Sequence, residues 1–198
     1  MADQVSFGTA IALLEYASIA AGIEAGDAMA KRAALSVIHA GTVHPGKYLV
    51  MVGGGVADIE EALDAAHRLE SSSLIDEMFL PDPHVQLVAA LAGQRSRGDG
   101  EALGVIETTS VSSVILAADA GLKGAGVVLR DIYLADGLGG KGYLLFSGPL
   151  VEIQVAVELG SERASADLVG QRVIAQLHDE MNVNLVGDGQ FSSRVRGA

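Results

Sequence analysis

The sequence predicts an α/β protein of the α+β type, built from two ferredoxin-like units that each have the element order β-α-β-β-α-β. Two observations support this prediction. The stretch 9–31 repeats at 101–123 with a separation of 92 positions, so that Glu15 matches Glu107 and Lys31 matches Lys123. Each copy also starts with an apolar run of strand length, followed by a helix of small residues. The chain therefore contains two copies of one structural unit.

In the first unit, the run AIALLEY at 10–16 is typical of a strand buried on both faces, with Glu15 as the exception near its end. Ser18 is the candidate N-cap of a helix over 19–34. The other elements are predicted as strands at 36–40, 47–52 and 74–80 and helices at 56–69 and 84–91.

The second unit repeats this order, with strands predicted at 102–108, 127–133, 141–146 and 167–174 and helices at 111–124 and 149–163. An insertion of two residues between the middle strands brings Gly46-Lys47 into register with Gly140-Lys141. The predicted bounds are a first domain at 8–92, a linker at 93–100, a second domain at 101–186 and a loose tail at 187–198.

The composition of the chain excludes several classes of function. Apolar residues make up 49 % of the chain, more than two small cores need, so we expect contacts between chains. A net charge of -12 opposes nucleic-acid binding, and the absence of cysteine excludes thiolate catalysis and cysteine-ligated clusters. No apolar run is long enough to span a membrane and no signal-peptide pattern is present, so we expect a cytosolic protein.

The residues do not predict an enzyme. We find no nucleophile motif, metal-binding helix motif or phosphate loop, and the acidic helix after Gly53-Gly54-Gly55 would repel a phosphate. No two of the five histidines stand at the spacing of a local metal pair, so neither a metal nor a cofactor is expected. His44 lies in a turn, where an exposed surface role and a role around a threefold axis are both open.

The repeated charges have two interpretations each. Lys31 and Lys123 end matching helices, where a cation interacts favourably with the helix dipole; their recurrence favours a shared contact role. Glu15 and Glu107 recur at strand ends, as solvated or helix-capping carboxylates or as a second shared contact.

Together, the segment ALGVIET, the helix ending AADAxxK, the Gly-Lys after a turn and the strand followed by glycine and a helix resemble the bacterial microcompartment shell domain. Two such domains in one chain are similar to the tandem shell proteins that form pseudohexameric trimers. Since each unit begins with the ALGVIET-type strand, the chain resembles the unpermuted subclass, whose trimers form single flat discs.

The resemblance implies a structural role: a homotrimeric tile that joins shell hexamers and pentamers and passes small metabolites through a central pore. In the family, the turn between the second and third strands lines that pore. The corresponding residues here are Val43, His44, Pro45 and Gly46 in the first unit and Gly137, Leu138, Gly139 and Gly140 in the second.

The resemblance also implies edge contacts between discs, which map onto Lys31 and Lys123. The family's Pro-Arg-Pro-His edge motif is only partly kept, so Asp82, His84 and His178 are the further edge candidates. Some tandem members hold an iron–sulfur cluster at the pore through cysteines; a chain without cysteine lacks those ligands. The alternative function is a soluble ferredoxin-like trimer that binds a small molecule between subunits, for which Arg95 and Arg97 are the only candidate loop charges.

Overall fold

A computed structural model describes residues 7–70, 72–96, 98 and 100–185. The first unit contains the strands β1 (Ala10–Tyr16), β2 (Val37–Val43), β3 (Lys47–Gly54) and β4 (Leu74–Pro81) and the helices α1 (Ile19–Arg32), α2 (Val56–His67) and α3 (Val85–Leu91). The second contains the strands β5 (Ala102–Thr108), β6 (Val128–Leu134), β7 (Gly142–Gly148) and β8 (Leu168–Ile174) and the helices α4 (Val111–Gly124), α5 (Leu150–Ala164) and α6 (Asp179–Asn184). The predicted β-α-β-β-α-β order is confirmed in both units, and each unit ends in one further short helix.

The two sheets have the same topology. Their strand orders are β2-β3-β1-β4 and β6-β7-β5-β8, and all pairs in them are antiparallel. β1 and β5 therefore have a neighbour on each side, and every residue of β1 is buried. This central position explains why the sequences of both strands are nearly continuous apolar runs.

Serine caps start the two matching helices, as predicted for Ser18 and found also for its counterpart Ser110. The Ser18 Oγ accepts a hydrogen bond from the N–H of Ala21 at 3.3 Å, and the Ser110 Oγ accepts one from Ser113 at 3.1 Å. The prediction that the first helix continues to residue 34 is wrong, since α1 ends at Arg32. The chain must turn there because the Ser36 N–H joins the sheet through the carbonyl of Gly53, 2.8 Å away.

Small residues let the layers pack closely. A Cβ added at Gly121 of α4 would lie 2.6 Å from the ring of Phe146 in β7 and 2.9 Å from the carbonyl oxygen of Ala156 in α5. Only glycine fits between these neighbours. The small-residue helix thus serves dense packing of helix against helix and helix against sheet.

The two units share one apolar core. A single cluster of buried side chains includes Leu13 and Leu87 of the first unit and Val111 and Phe146 of the second. The helix-facing side of the first sheet forms its own cluster around Val50. The units are therefore packed against each other through apolar contacts, with α3 lying against β6 and α4.

Three local features differ from expectation or extend it. β2 continues to Val43 because it pairs with β3 as far as Lys47, although its last residues lack a strand signal. The two-residue insertion lies in the β6–β7 turn, and α6 was not predicted. The predicted tail 187–198 lies outside the described residues. Of the helices in the described ranges, none is long and apolar enough to cross a membrane.

Candidate functional site

The first predicted pore turn is a tight hairpin between β2 and β3. The Gly46 N–H donates to the carbonyl of Val43 at 2.9 Å, which closes the turn. His44 and Pro45 are exposed at its tip. The turn therefore presents an imidazole and a proline ring to its surroundings.

The second predicted pore turn joins β6 to β7 and is two residues longer. The Leu138 N–H donates to the carbonyl of Ala135 at 2.9 Å, inside the loop closed by Ala135 and Lys141. Gly137, Gly139 and Gly140 have φ values of 72°, 64° and 87°, which disfavour residues with a side chain. This backbone explains why the loop is rich in glycine.

The structure brings the two turns together. A Cβ added at Gly140 would lie 3.2 Å from the Pro45 Cδ and 3.5 Å from the His44 carbonyl oxygen. The turns of the two units are thus neighbours within one chain. Asp136 is also exposed in the longer turn; it was not among the candidate pore residues because the register of Gly46 with Gly140 starts the matching turn at Gly137.

A buried carboxylate fixes this arrangement from behind the turns. Glu15, at the end of β1, has no exposed surface. Its carboxylate accepts from the Ser112 N–H of α4 at 2.8 Å and from the Lys47 Nζ at 3.2 Å. Of the two interpretations of Glu15, the helix-capping one is confirmed, and the helix that it caps belongs to the other unit.

The equivalent contact of the second unit is incomplete within one chain. Glu107 pairs with Lys141 at 2.8 Å but remains 40 % exposed. The counterpart of Ser112 is Ala20, in the first turn of α1, and it is exposed. One half of a repeated contact is therefore made inside the chain, and the other half faces outward.

The predicted edge lysines each form an ion pair with an aspartate one helical turn earlier. Lys31 contacts Asp27 at 2.5 Å, and both side chains are largely exposed. Lys123 contacts Asp119 at 2.7 Å, where Asp119 is buried and also accepts from the backbone N–H of His84 at 2.8 Å. The structure thus joins two predicted edge residues, Lys123 and His84, through an aspartate.

The remaining edge candidates have local roles as well. His84 and His178 are equivalent N-caps: their Nδ1 atoms accept from Gln86 at 3.2 Å and from Glu180 at 3.3 Å. Asp82 is exposed and donates its N–H to the carbonyl of Thr9 at 2.8 Å. The helix predicted over 84–91 begins one residue later, at Val85, with His84 as its N-cap, and the role of His178 was missed because α6 itself was not predicted.

The linker charge Arg95 is already engaged within the chain. Its guanidinium pairs with Asp131 at 3.2 Å and lies 5.6 Å above the ring of Tyr133. Tyr133 in turn stacks on Tyr143 at 4.3 Å between ring centroids. Burial raises the pKa of the Tyr143 hydroxyl, as does its neighbour Tyr133. Arg97 lies outside the described residues.

No metal centre is formed by the described part of the chain: it contains no group of three or more histidine, aspartate or glutamate side chains placed to hold an ion.

Comparison with known proteins identifies the family. The family model of the BMC domain matches residues 10–83 and 102–177. The microcompartment shell protein PduT of Citrobacter freundii is 38 % identical over 174 residues, which cover 87 % of this chain and 95 % of that protein. The carboxysome assembly protein CcmO of a Synechocystis species is 25 % identical over 194 residues, or 89 % of this chain and 64 % of that protein.

Comparison with solved structures supports the same family assignment. A microcompartment protein from Desulfitobacterium hafniense DCB superposes with a TM-score of 0.78 at 36 % identity and covers 88 % of this chain and 98 % of its own. The fused permuted hexameric shell protein MSM0275 has a TM-score of 0.58 at 20 % identity over 79 % of this chain and 84 % of its own, which supports the fold alone. The chain belongs to the BMC-domain family and is a tandem-domain shell protein of bacterial microcompartments.

Proposed function

We propose that three copies of the chain form a flat ring of BMC domains, a single-disc shell tile whose central pore passes small metabolites. The observation that carries this proposal is the contact between the two turns, at Gly140 and Pro45, within one chain. If the same packing continues from chain to chain, every turn of the ring meets at one axis. The tile would then have a pore lined alternately by two kinds of turn.

The exposure of equivalent residues supports such a continuation. Val111 and Ile115 of α4 are fully buried. Their counterparts in α1, Ile19 and Ile23, are 41 % and 54 % exposed. We call each contact between neighbouring domains of the ring a joint. Apolar side chains at equivalent positions of the two helices are therefore buried at the joint inside the chain and exposed where the joint to the next chain would form. One chain of a closed ring requires this difference.

A complementary surface lies at the opposite end of the chain. A groove of about 660 Å³ runs between α5 and β8 and is lined partly by Val157, Leu168 and Val173. In the first domain, the corresponding strand β4 and helix α3 lie against α4. We infer that β8, its groove and α6 receive α1 of the next chain in the same way.

Polar partners repeat the pattern. By equivalence with the Glu15–Ser112 bond, Glu107 would accept from the Ala20 N–H of the next chain. By equivalence with the His84–Asp119 bond, the His178 N–H would donate to Asp27 of that chain. Each joint of the ring would then have a capped helix and a bonded aspartate, with no buried charge left unpaired.

The pore chemistry follows from the turns. Three exposed His44 imidazoles and three exposed Asp136 carboxylates would alternate around the axis, with Leu138 and the glycine backbone between them. Backbone N–H and C=O groups and these side chains offer hydrogen bonds to small polar molecules. The pore is therefore suited to small hydrophilic metabolites, and no catalytic step is assigned to the chain.

At the rim, Lys31 and Lys123 would alternate around the disc as contacts to neighbouring tiles, with Asp82, His84 and His178 nearby. The two lysines differ, because Lys31 is 73 % exposed and Lys123 is 42 % exposed beside a buried aspartate. The partners would be shell hexamers and pentamers. This proposal takes 8–92 and 101–186 as the two domains of the tile, joined by the linker 93–100 and followed by the tail 187–198.

The alternative of a soluble trimer that binds a ligand between subunits is not favoured, since the relatives are shell proteins. Electron microscopy of the purified chain, alone and mixed with a shell hexamer, tests the proposal. Flat particles with threefold symmetry, a central hole and lateral association support it. Particles without a central opening, or without any lateral association in either sample, contradict it.

A further inference from the structure

A small polar pocket lies where the linker meets the second domain. Its volume is about 300 Å³, at the lower end of the range for small-molecule sites. The lining residues come from the residues leading into β5, the end of β7, the middle of β6 and the α6 region. None of them belongs to the pore turns or is an edge lysine.

The pocket is built around a bulge. The pairing of β6 with β7 shifts register between Leu129 and Asp131, so Arg130 is an extra residue in β6. The matching strands β2 and β3 pair without a shift, and the first domain therefore has no counterpart of Arg130. A bulge redirects a side chain, and bulges are frequent beside binding sites.

Arg130 has no acidic ion-pair partner among the described residues. Its side chain lines the pocket and the residue is only 5 % exposed. Its guanidinium makes one long hydrogen bond, 3.5 Å to the carbonyl oxygen of Asn182, and no carboxylate in the described ranges lies at ion-pair distance. A guanidinium buried in this way is costly unless an anion compensates it.

The residues around Arg130 offer hydrogen-bond acceptors. The Asn182 Oδ1 is buried and has no hydrogen-bond donor among the described residues. Glu101 and Asp179 line the same pocket, and both residues are exposed. The pocket therefore combines a buried guanidinium with two acidic residues at exposed positions.

We propose that this pocket binds a small α-amino acid. The carboxylate of the ligand pairs with the Arg130 guanidinium, which is suited to planar, bidentate recognition. Its ammonium group donates to the Asn182 Oδ1 and faces the carboxylate of Asp179. A simple anion would meet the two acidic residues without compensation, and a simple amine would leave Arg130 unpaired.

Calorimetric titration of the full chain tests this binding with glycine and alanine as probes and with lactate, acetate and ethylamine as comparison ligands. The expected result is saturable binding of an amino acid, weaker binding of lactate, and none of acetate or ethylamine. Arg130→Gln should weaken the binding of the amino acid by about tenfold or more. Arg95→Gln is the matched control, because Arg95 pairs with Asp131 outside the pocket lining and should leave binding unchanged.

Asp179→Asn provides a second variant on an exposed residue, so it does not depend on the fold surviving a change at buried Arg130. This substitution should weaken the binding of the amino acid severalfold. The absence of saturable binding with every probe overturns the proposal, as does binding that survives Arg130→Gln in folded protein. Lactate binding as tight as that of alanine, or binding unaffected by Asp179→Asn, overturns the assignment to an amino acid. All the described lining residues belong to one chain, so binding is measured on dilute protein as well as on the assembled ring.

Discussion

The carboxylate of Glu15 in the first domain accepts a hydrogen bond of 2.8 Å from the backbone N–H of Ser112 in the second, in the interior of the chain. The end of one domain's central strand thereby caps the other domain's helix. The equivalent carboxylate, Glu107, is 40 % exposed. The chain contains one complete contact between domains and the two open halves of another, which supports the ring proposal.

Glu15→Gln should destabilise the chain itself. The amide can still accept from Ser112, but it leaves the Lys47 ammonium, 18 % exposed, without its countercharge. We expect the free energy of unfolding to fall by about 1–3 kcal/mol, measured by urea denaturation of dilute protein. Glu107→Gln is the matched control. Its ion pair is exposed, so its loss in the single chain should be below about 0.5 kcal/mol.

The effects of the two variants on ring formation should have the opposite ranking to their effects on the stability of the single chain. Glu107→Gln is expected to raise the protein concentration needed for ring formation more than Glu15→Gln does, because only Glu107 faces the next chain. Analytical ultracentrifugation over a dilution series measures this. Equal effects of both variants on association would contradict the proposed equivalence of the joints.

Ile23→Asp should prevent association without unfolding the chain. Ile23 is 54 % exposed in one chain, whereas its counterpart Ile115 is fully buried, so a carboxylate at position 23 would be desolvated only at the joint. Val151→Asp is the control, since Val151 is 67 % exposed and its counterpart Ala57 stays exposed at the internal joint. Size-exclusion chromatography and circular dichroism should show folded monomers for Ile23→Asp and wild-type assemblies for Val151→Asp. Unchanged assembly of Ile23→Asp would rule out the proposed joint.

Cysteine substitution can locate the axis, because the native chain has no cysteine. His44→Cys should place three thiols around one pore, where a short bismaleimide reagent links chains into covalent dimers. Glu60→Cys, on the exposed side of α2, should remain monomeric on a denaturing gel under the same conditions. Equal cross-linking of both variants would show that the β2–β3 turns do not converge.

The stacked tyrosines predict a loss of stability at high pH. Burial, with Tyr133 beside it, raises the pKa of Tyr143 above its ordinary value of 10.0. The folded chain therefore holds this proton more tightly than the unfolded chain. Its contribution is complete below about pH 10 and decreases as pH rises further, by up to about 1.4 kcal/mol per pH unit. Urea midpoints from pH 9 to 11 should fall less steeply for Tyr143→Phe than for wild type; parallel curves would contradict the assignment.

Much of the architecture was predictable from the repeat. The apolar run 10–16 and its copy 102–108 are the central strands, and Ser18 and Ser110 cap the helices that follow. Such features depend on residues close together in sequence, where strand and helix signals are strong. The position of the glycine-rich turns also followed from the register of Gly46-Lys47 with Gly140-Lys141.

What escaped prediction depends on distant contacts. Glu15 and Ser112 are far apart in sequence, so only the packing of the domains reveals their bond. Arg130 looks like any strand residue until the register of β6 against β7 shows it to be a bulge. α6 is short and polar, and its N-cap His178 gives a weaker signal than serine or aspartate.

The most direct test of the account is the mass of the purified chain in solution, measured by native mass spectrometry. A ring of three chains requires a discrete species at three times the chain mass of 20.3 kDa. A stable monomer, or a dimer as the largest discrete species at all concentrations, would contradict the ring and with it the pore between the turns.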